Sequence, residues 1–206
     1  MGYVAGHARF LVRKTCASLF SRSCDLVSSI AGTEERDRGE GATVYTLSVE
    51  RDEDWWEVEA LYDTCFAPGR EALSSYRLRH GVAPVRSLSM VARDGDGILA
   101  GAIRYWPALI DGHRILLLGP VAVHPTRQGE GLGGLLMRGS LDQARKEGWP
   151  RVLLVGDAPY YRRFGFTRLD HVTMPPPTNP DRVLGLELQP GAWHGVRGAV
   201  RKFGSE

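Results

Sequence analysis

The chain has 206 residues, 43% of them apolar, enough for one ordinary domain with a real core and an extension besides. Its 26 basic and 24 acidic side chains leave a net charge of +2, too even for a nucleic-acid footprint. No apolar run approaches the roughly 20 residues that span a bilayer, so a soluble protein without a membrane partner is expected. Cys16, Cys24 and Cys65 are odd in number and lack metal-ligand spacing with any histidine, so they read as reduced thiols of a cytoplasmic protein, with no metal.

Residues 1–42 differ from the rest. Up to Ile30 the segment carries Arg9, Arg13, Lys14 and Arg22 against Asp25 alone, is rich in serine, and sets Val4, Ala8, Leu11, Leu19 and Phe20 near a helical stripe. Organellar transit peptides have this composition, and so do extensions without an address. Residues 34–41, EERDRGEG, form a charged linker that resists packing. A flexible extension over 1–42, a domain over 43–190 and a tail over 191–206 are therefore expected.

Residues 43–49, TVYTLSV, alternate like a first strand. Asp52 or Asp54 can cap a helix carrying Trp56, Ala60, Leu61 and Cys65, which ends before Pro68 and Gly69. A second helical piece is predicted over 71–79 and stops at Gly81. Two turns then mark three consecutive strands: Asp94-Gly95-Asp96-Gly97 joins SLSMVAR to ILAGAIRYW, and Asp111-Gly112 joins ALI to RILLLGPVAV. The antiparallel meander ends on an apolar run, 116–123, suited to a strand buried on both faces.

Pro125 stops that strand. Gly129, Gly131, Gly133 and Gly134 follow within six residues, and Leu132, Leu135, Leu136, Leu141 and Ala144 take over at helical spacing. This helix runs to about Lys146 and is closed by Gly148 and Pro150. Residues 151–155 follow as the second strand of a βαβ unit would. Gly165, between two phenylalanines, implies a tight bend, the prolines at 175–177 a rigid loop, and 183–188 a last strand. The tail from Gly191 is glycine-rich and weakly patterned.

A strand, a glycine loop and a helix in succession leave backbone N–H groups unpaired at the helix N-terminus, where the dipole favours a phosphate or pyrophosphate. Gly129, Gly131 and Gly134 satisfy G-x-G-x-x-G, with Asp157 ending the next strand where a dinucleotide site wants a ribose-binding acid. Against a nicotinamide-dependent oxidoreductase, His124-Pro125-Thr126-Arg127-Gln128 intervenes between strand and first glycine, and a meander precedes the unit. A Walker loop is excluded, since no Gly-Lys-Ser/Thr is present. Four glycines in the first turns of a helix cost about 1 kcal/mol each relative to alanine, which a mere connector has no reason to carry.

Gln128-Gly129-Glu130-Gly131-Leu132-Gly133 resembles the Q/R-x-x-G-x-G/A signature of the GNAT acyltransferase superfamily, behind an apolar strand ending Val-Ala-Val-His-Pro. Tyr160-Tyr161-Arg162-Arg163-Phe164-Gly165-Phe166 resembles that family's Phe-Tyr-x-x-x-Gly-Phe element. The resemblance covers about 43–190, and the element order agrees with it. It implies an α/β (α+β) fold with a mixed, mostly antiparallel central sheet of about six to seven strands and helices on both faces.

The resemblance also implies acetyl-CoA as co-substrate and an amine acceptor, with a homodimer left open. Gly129, Glu130, Gly131, Leu132, Gly133 and Gly134 would offer N–H groups to the pyrophosphate, Gln128 would help position it, and Val121, Ala122 and Val123 would pair with the pantetheine arm and supply an oxyanion N–H. Tyr161 falls on the general-acid tyrosine, with Tyr160 as its core partner. Many relatives carry an asparagine about seven residues before that tyrosine; here Gly156-Asp157-Ala158-Pro159 takes its place. Asp157 could orient an amine, though a helix cap is the simpler role, and His124 reads as a cap at the strand end. No general base stands out, which leaves the amine to ordered water. Arg70, Arg77 and Arg79 would suit an acceptor with a carboxylate, though a solvated face is the simpler expectation. A non-catalytic acyl-CoA-binding module is the alternative on the same fold.

Overall fold

A computed structural model describes residues 8–12, 43–66 and 69–204. Cys16 and Cys24, the linker at 34–41 and most of the acid-poor N-terminal stretch lie outside the described residues. Among the described residues ten strands form one sheet. The first two, β1 (Ala8–Val12) and β2 (Thr43–Val49), pair antiparallel. A single 3₁₀ turn, Asp52–Asp54, leads into α1 (Trp55–Phe66), and another, Arg70–Ala72, into α2 (Ser74–Arg79). The meander follows as β3 (Met90–Arg93), β4 (Leu99–Ile110) and β5 (His113–Val123), antiparallel throughout.

Next come α3 (Leu132–Lys146), β6 (Arg151–Val155), parallel to β5, and the short α4 (Ala158–Tyr161). The chain finishes with β7 (Thr167–Arg168), β8 (Val172–Thr173), β9 (Val183–Glu187) and β10 (Gly198–Lys202). Sheet order is β1-β2-β3-β4-β5-β6-β9-β7, with β10 beside β4 and β8. The βαβ unit and the Asp-Gly turns stand where the residues place them; Asp111 and Gly112 both take positive φ, as such a turn requires.

The sheet buries both faces, and parity along the strands assigns each residue to one of them. Tyr45, Leu47, Met90, Ala92, Ile103, Leu116 and Leu118 pack with Leu132, Leu135, Leu136 and Leu141 of α3. On the opposite face Val91, Ala102 and Ala122 pack with Val58, Leu61 and Tyr62 of α1. Helices therefore cover both faces, and α3 buries the whole stripe expected of it, Ala144 included. No described helix is long and apolar enough to cross a membrane.

Four details depart from the sequence reading. Ala8–Val12 is a strand paired with Thr43–Val49, not part of a helical stripe, so the extension contributes to the sheet. The tail likewise supplies β10, which takes the edge of β4 at Ala108–Ile110 where β3 has stopped. The chain ends and the two-residue β7 and β8 thus add to the six longer strands the sequence suggests. Trp56 is 75% exposed, because Val58, Leu61 and Tyr62, one helical face away, meet the sheet. The predicted helix over 71–79 is broken at Leu73, whose extended ψ of 139° ends one turn before the next begins.

Leu136 is fully buried where α3 crosses β4, its Cδ1 so close that a Cβ on Gly101 would stand 3.0 Å away. Leu136→Ala should lower unfolding free energy by about 2–5 kcal/mol in a denaturant titration, with an unchanged m-value.

Candidate active site

The site begins with a bulge. Ile103 pairs with Val121 and Tyr105 with Leu118, so Gly119 and Pro120 of β5 together oppose the single Arg104 of β4. Gly119 takes φ +122°, open only to glycine, and Pro120 has no N–H to give the ladder. Beyond the bulge β5 and β6 part. They pair only at Leu116 with Val152 and Leu117 with Leu153. The edge of Val121, Ala122 and Val123 turned away from β4 is left without a strand partner among the described residues. A gap of about 120 Å3 opens between the strands, lined by Gly119, Pro120, Val121, Leu154, Val155 and Tyr161.

The glycine loop lies beyond the tip of β5. His124 caps the 3₁₀ turn Pro125–Arg127, its Nδ1 2.8 Å from the Thr126 hydroxyl. Gly129 and Gly131 hold φ of +84° and +82°, and α3 starts immediately after. The first N–H groups of that helix point outward with no intrahelical acceptor. Two anchors fix the loop from beneath. Glu130 is 4% exposed and accepts a hydrogen bond from the fully buried Tyr45 hydroxyl. Arg127 pairs at 2.7 Å with Asp94, which also accepts the Asp96 and Ile98 N–H groups of the β3–β4 turn. Burial first, and Glu130 next, push the Tyr45 phenol up to about 12.

The cofactor-binding positions thus divide in kind. Gln128 is exposed at the end of the 3₁₀ turn, whereas the Glu130 and Leu132 side chains are buried and leave only main chain for a ligand. Gly133 sits under the Tyr160 hydroxyl, where an added Cβ would lie 2.7 Å from its oxygen.

The two tyrosines exchange the roles expected for packing. Tyr160 is 37% exposed and stacks under the Arg163 guanidinium at 3.9 Å, so it is not the core partner. Tyr161 packs edge-on against Phe166, with ring centroids 5.9 Å apart, and lies so close to Gly156 that a Cβ there would be 2.2 Å from the ring. Burial pushes its phenol up to about 12. Asp157 occupies the N-cap position of α4 without a side-chain cap bond and pairs with Arg182 at 3.2 Å instead.

On the α1 side of the sheet a cavity of about 920 Å3 abuts the gap. Arg104, buried mid-strand, gives Glu50 two hydrogen bonds of 2.8 and 2.6 Å and meets Glu59 with its other terminal nitrogen. Arg70 completes the chain with Glu59 and Asp63. Burial opposes ionisation of Glu59, but hydrogen bonds from Arg70 and Arg104 win and hold its carboxyl below the usual range. Arg79 is 9% exposed between Tyr76 and Trp106, at 4.8 and 4.7 Å from their ring centroids. Of the three arginines expected on a solvated face, only Arg77 is exposed; Arg70 and Arg79 turn inward because aromatic and acidic partners await them. Arg104, Glu50 and Glu59 escaped the sequence reading, although an arginine in the otherwise apolar run LAGAIRYW is itself a signal of buried charge.

Gly133→Ala should displace Tyr160 and cost about 1–3 kcal/mol by overpacking. Tyr160→Phe in the same chain removes the clashing oxygen, and recovery of thermal stability in the double variant would verify the contact.

A family model of the acetyltransferase (GNAT) domain matches residues 86–168. The uncharacterized N-acetyltransferase YhbS of Escherichia coli K12 is 30% identical over 116 residues, 55% of this chain and 68% of its own length. The crystal structure of the Escherichia coli YhbS protein in complex with CoA has a TM-score of 0.69 at 26% identity, covering 80% of this chain and 93% of that one. A GNAT family acetyltransferase from Brucella melitensis in complex with acetyl-CoA has a TM-score of 0.58 at 31% identity, over 78% and 96% of the two chains. The parted strands, the glycine loop and these relatives agree: the chain belongs to the GNAT acetyltransferase family and is an acyltransferase.

Proposed function

We propose that the protein transfers an acetyl group from acetyl-CoA directly to an amine, with Tyr161 as the general acid. The observation that carries this reading is the gap between β5 and β6, a small slot lined in part by the Tyr161 phenol. CoA and acetyl-CoA in the two related structures support the donor. The pyrophosphate would lie on the N–H groups of Gly129, Glu130, Gly131, Leu132, Gly133 and Gly134, with Gln128 beside it. The pantetheine arm would run along Val121, Ala122 and Val123 into the gap.

The amine nitrogen then attacks the thioester carbonyl, and a main-chain N–H of β5 stabilises the oxyanion. As the carbon–sulfur bond breaks, the Tyr161 hydroxyl gives its proton to the leaving thiolate. Glu50 and Glu59 in the neighbouring cavity are tied to Arg104 and Arg70, so water would accept the amine proton. The pocket on the α1 side would receive the acceptor.

Tyr161→Phe should lower kcat by about 10²–10⁴, with CoA affinity measured by calorimetry unchanged. Equal turnover would remove the acid role, and CoA binding without acetylation of any amine in a broad panel would favour a non-catalytic binding module.

The raised phenol sets the pH dependence. The donating form is the protonated one, present below about 12 and lost above it. At pH 10 an ordinary phenol would be half ionised, whereas Tyr161 keeps most of its proton. Tyr161-dependent kcat should therefore hold level from about pH 8 to pH 10 in a steady-state profile, and a halving at pH 10 would contradict it.

A further inference from the structure

We propose that the acceptor is an amine that carries a carboxylate close to the nitrogen that is acetylated, and that Arg79 holds this carboxylate. The inference rests on the acetyltransfer reading and adds the chemistry of the second substrate.

Arg79 differs from the other inward arginines of this face. Arg104 and Arg70 each have two carboxylate partners. Arg79 has none within ion-pair distance among the described residues, and its buried Nε has no hydrogen-bond partner. A cation withdrawn from water without a counter-ion is unfavourable, and the faces of Tyr76 and Trp106 compensate it only in part. They also fix where it stands. Burial lowers the guanidinium to about 10, a group still charged near neutrality and short of an anion. A planar fork of donors matches a carboxylate in two hydrogen bonds.

Position limits the size of the acceptor. Arg79, Tyr76 and Pro120 line both the large cavity and the gap lined in part by Tyr161. The Arg79 Nη2 lies against Gly119, 3.3 Å from where a Cβ would stand. An anion held there sits beside the reacting carbonyl, so carboxylate and amine must be a few bonds apart, as in an α- or β-amino acid. The cavity's buried acids are already occupied: Glu50 and Glu59 are tied to Arg104 and Arg70. Asp52 pairs with Arg86 at the rim. They leave the incoming amine free to lose its proton, while Trp55, Trp106 and Val82 offer apolar surface for a side chain.

The test uses the full chain, acetyl-CoA and matched amines: amino acids, their carboxamides and their decarboxylated counterparts, with CoA release as readout. Wild type should favour the acid over its amide by about tenfold or more in kcat/KM, the worth of one charged hydrogen-bonded contact. Arg79→Gln should raise KM for the acid and abolish that preference, and Arg79→Lys should restore part of it. An acid preference kept in folded Arg79→Gln would overturn the assignment to Arg79; should that variant fail to fold, Arg79→Lys, with a reduced preference expected, carries the comparison. Amides or decarboxylated amines used as well as the acids, or no carboxylate-bearing amine acetylated although calorimetry shows CoA bound, would overturn the inference. Failure of wild type to bind CoA would instead overturn the acetyltransfer reading beneath it.

Discussion

The rest of the site depends on the two-for-one pairing at Gly119 and Pro120 opposite Arg104. At Leu116 and Leu117, β5 is an ordinary central strand with neighbours on both sides. One extra residue re-aims the chain, and a conformation open only to glycine makes the insertion tolerable. Past that point β6 follows its own direction and the sheet splits. The split exposes main chain in the interior of a sheet, where it would ordinarily be consumed by pairing. A folded protein tolerates such an edge when something else uses it, and a substrate rich in amides is well suited.

Charge arranged around the bulge follows from the same constraint. Arg104 is the residue left opposite the insertion, and its side chain enters the face that α1 covers. A buried guanidinium must be matched, and Glu50 and Glu59 match it from β2's exit and from α1. Arg70 then balances Glu59, which ties the approach to α2 into the network. Arg79 comes at the end of α2, just where this neutralised cluster meets the split. The glycines of the loop are explained by similar local demands: Gly129 and Gly131 by positive φ, Gly133 by the Tyr160 hydroxyl above it. Their energetic penalty is thus partly a matter of backbone shape, over and above any ligand's approach.

Local signals were legible where they were strong. The Asp-Gly turns delimit β4, the apolar run marks β5, and α3, with its 3.6-residue stripe, ends at Lys146 just before Gly148. What escaped depends on distant pairing. Ala8–Val12 lies in an arginine-rich stretch whose composition hides a strand, and only its register against Thr43–Val49 reveals it. Gly198–Lys202 is short and follows glycine-rich sequence, yet β4 extends past β3 and needs a neighbour. Tyr160 and Tyr161 are chemically alike and adjacent, so only the fold decides which packs against Phe166 and which stands over Gly133. The residues proposed for the donor follow local motifs; of the cavity wall on the α1 side, Arg79 was named from the sequence, whereas Arg104, Glu50 and Glu59 come together only in the tertiary structure.

The division of β4's outer edge between β3 and β10 bears on how the chain can be handled. β10 pairs with Ala108, Leu109 and Ile110 and so seals the stretch of a central strand that would otherwise present open hydrogen-bonding groups to other molecules. A shortened form ending before Gly198 would keep every group assigned to chemistry and yet carry a sticky, template-like margin. The β10 strand is in that sense a closure against self-association, and because Val200 is buried with Leu78, Trp106 and Ile110, its removal would also open the core beside Arg79.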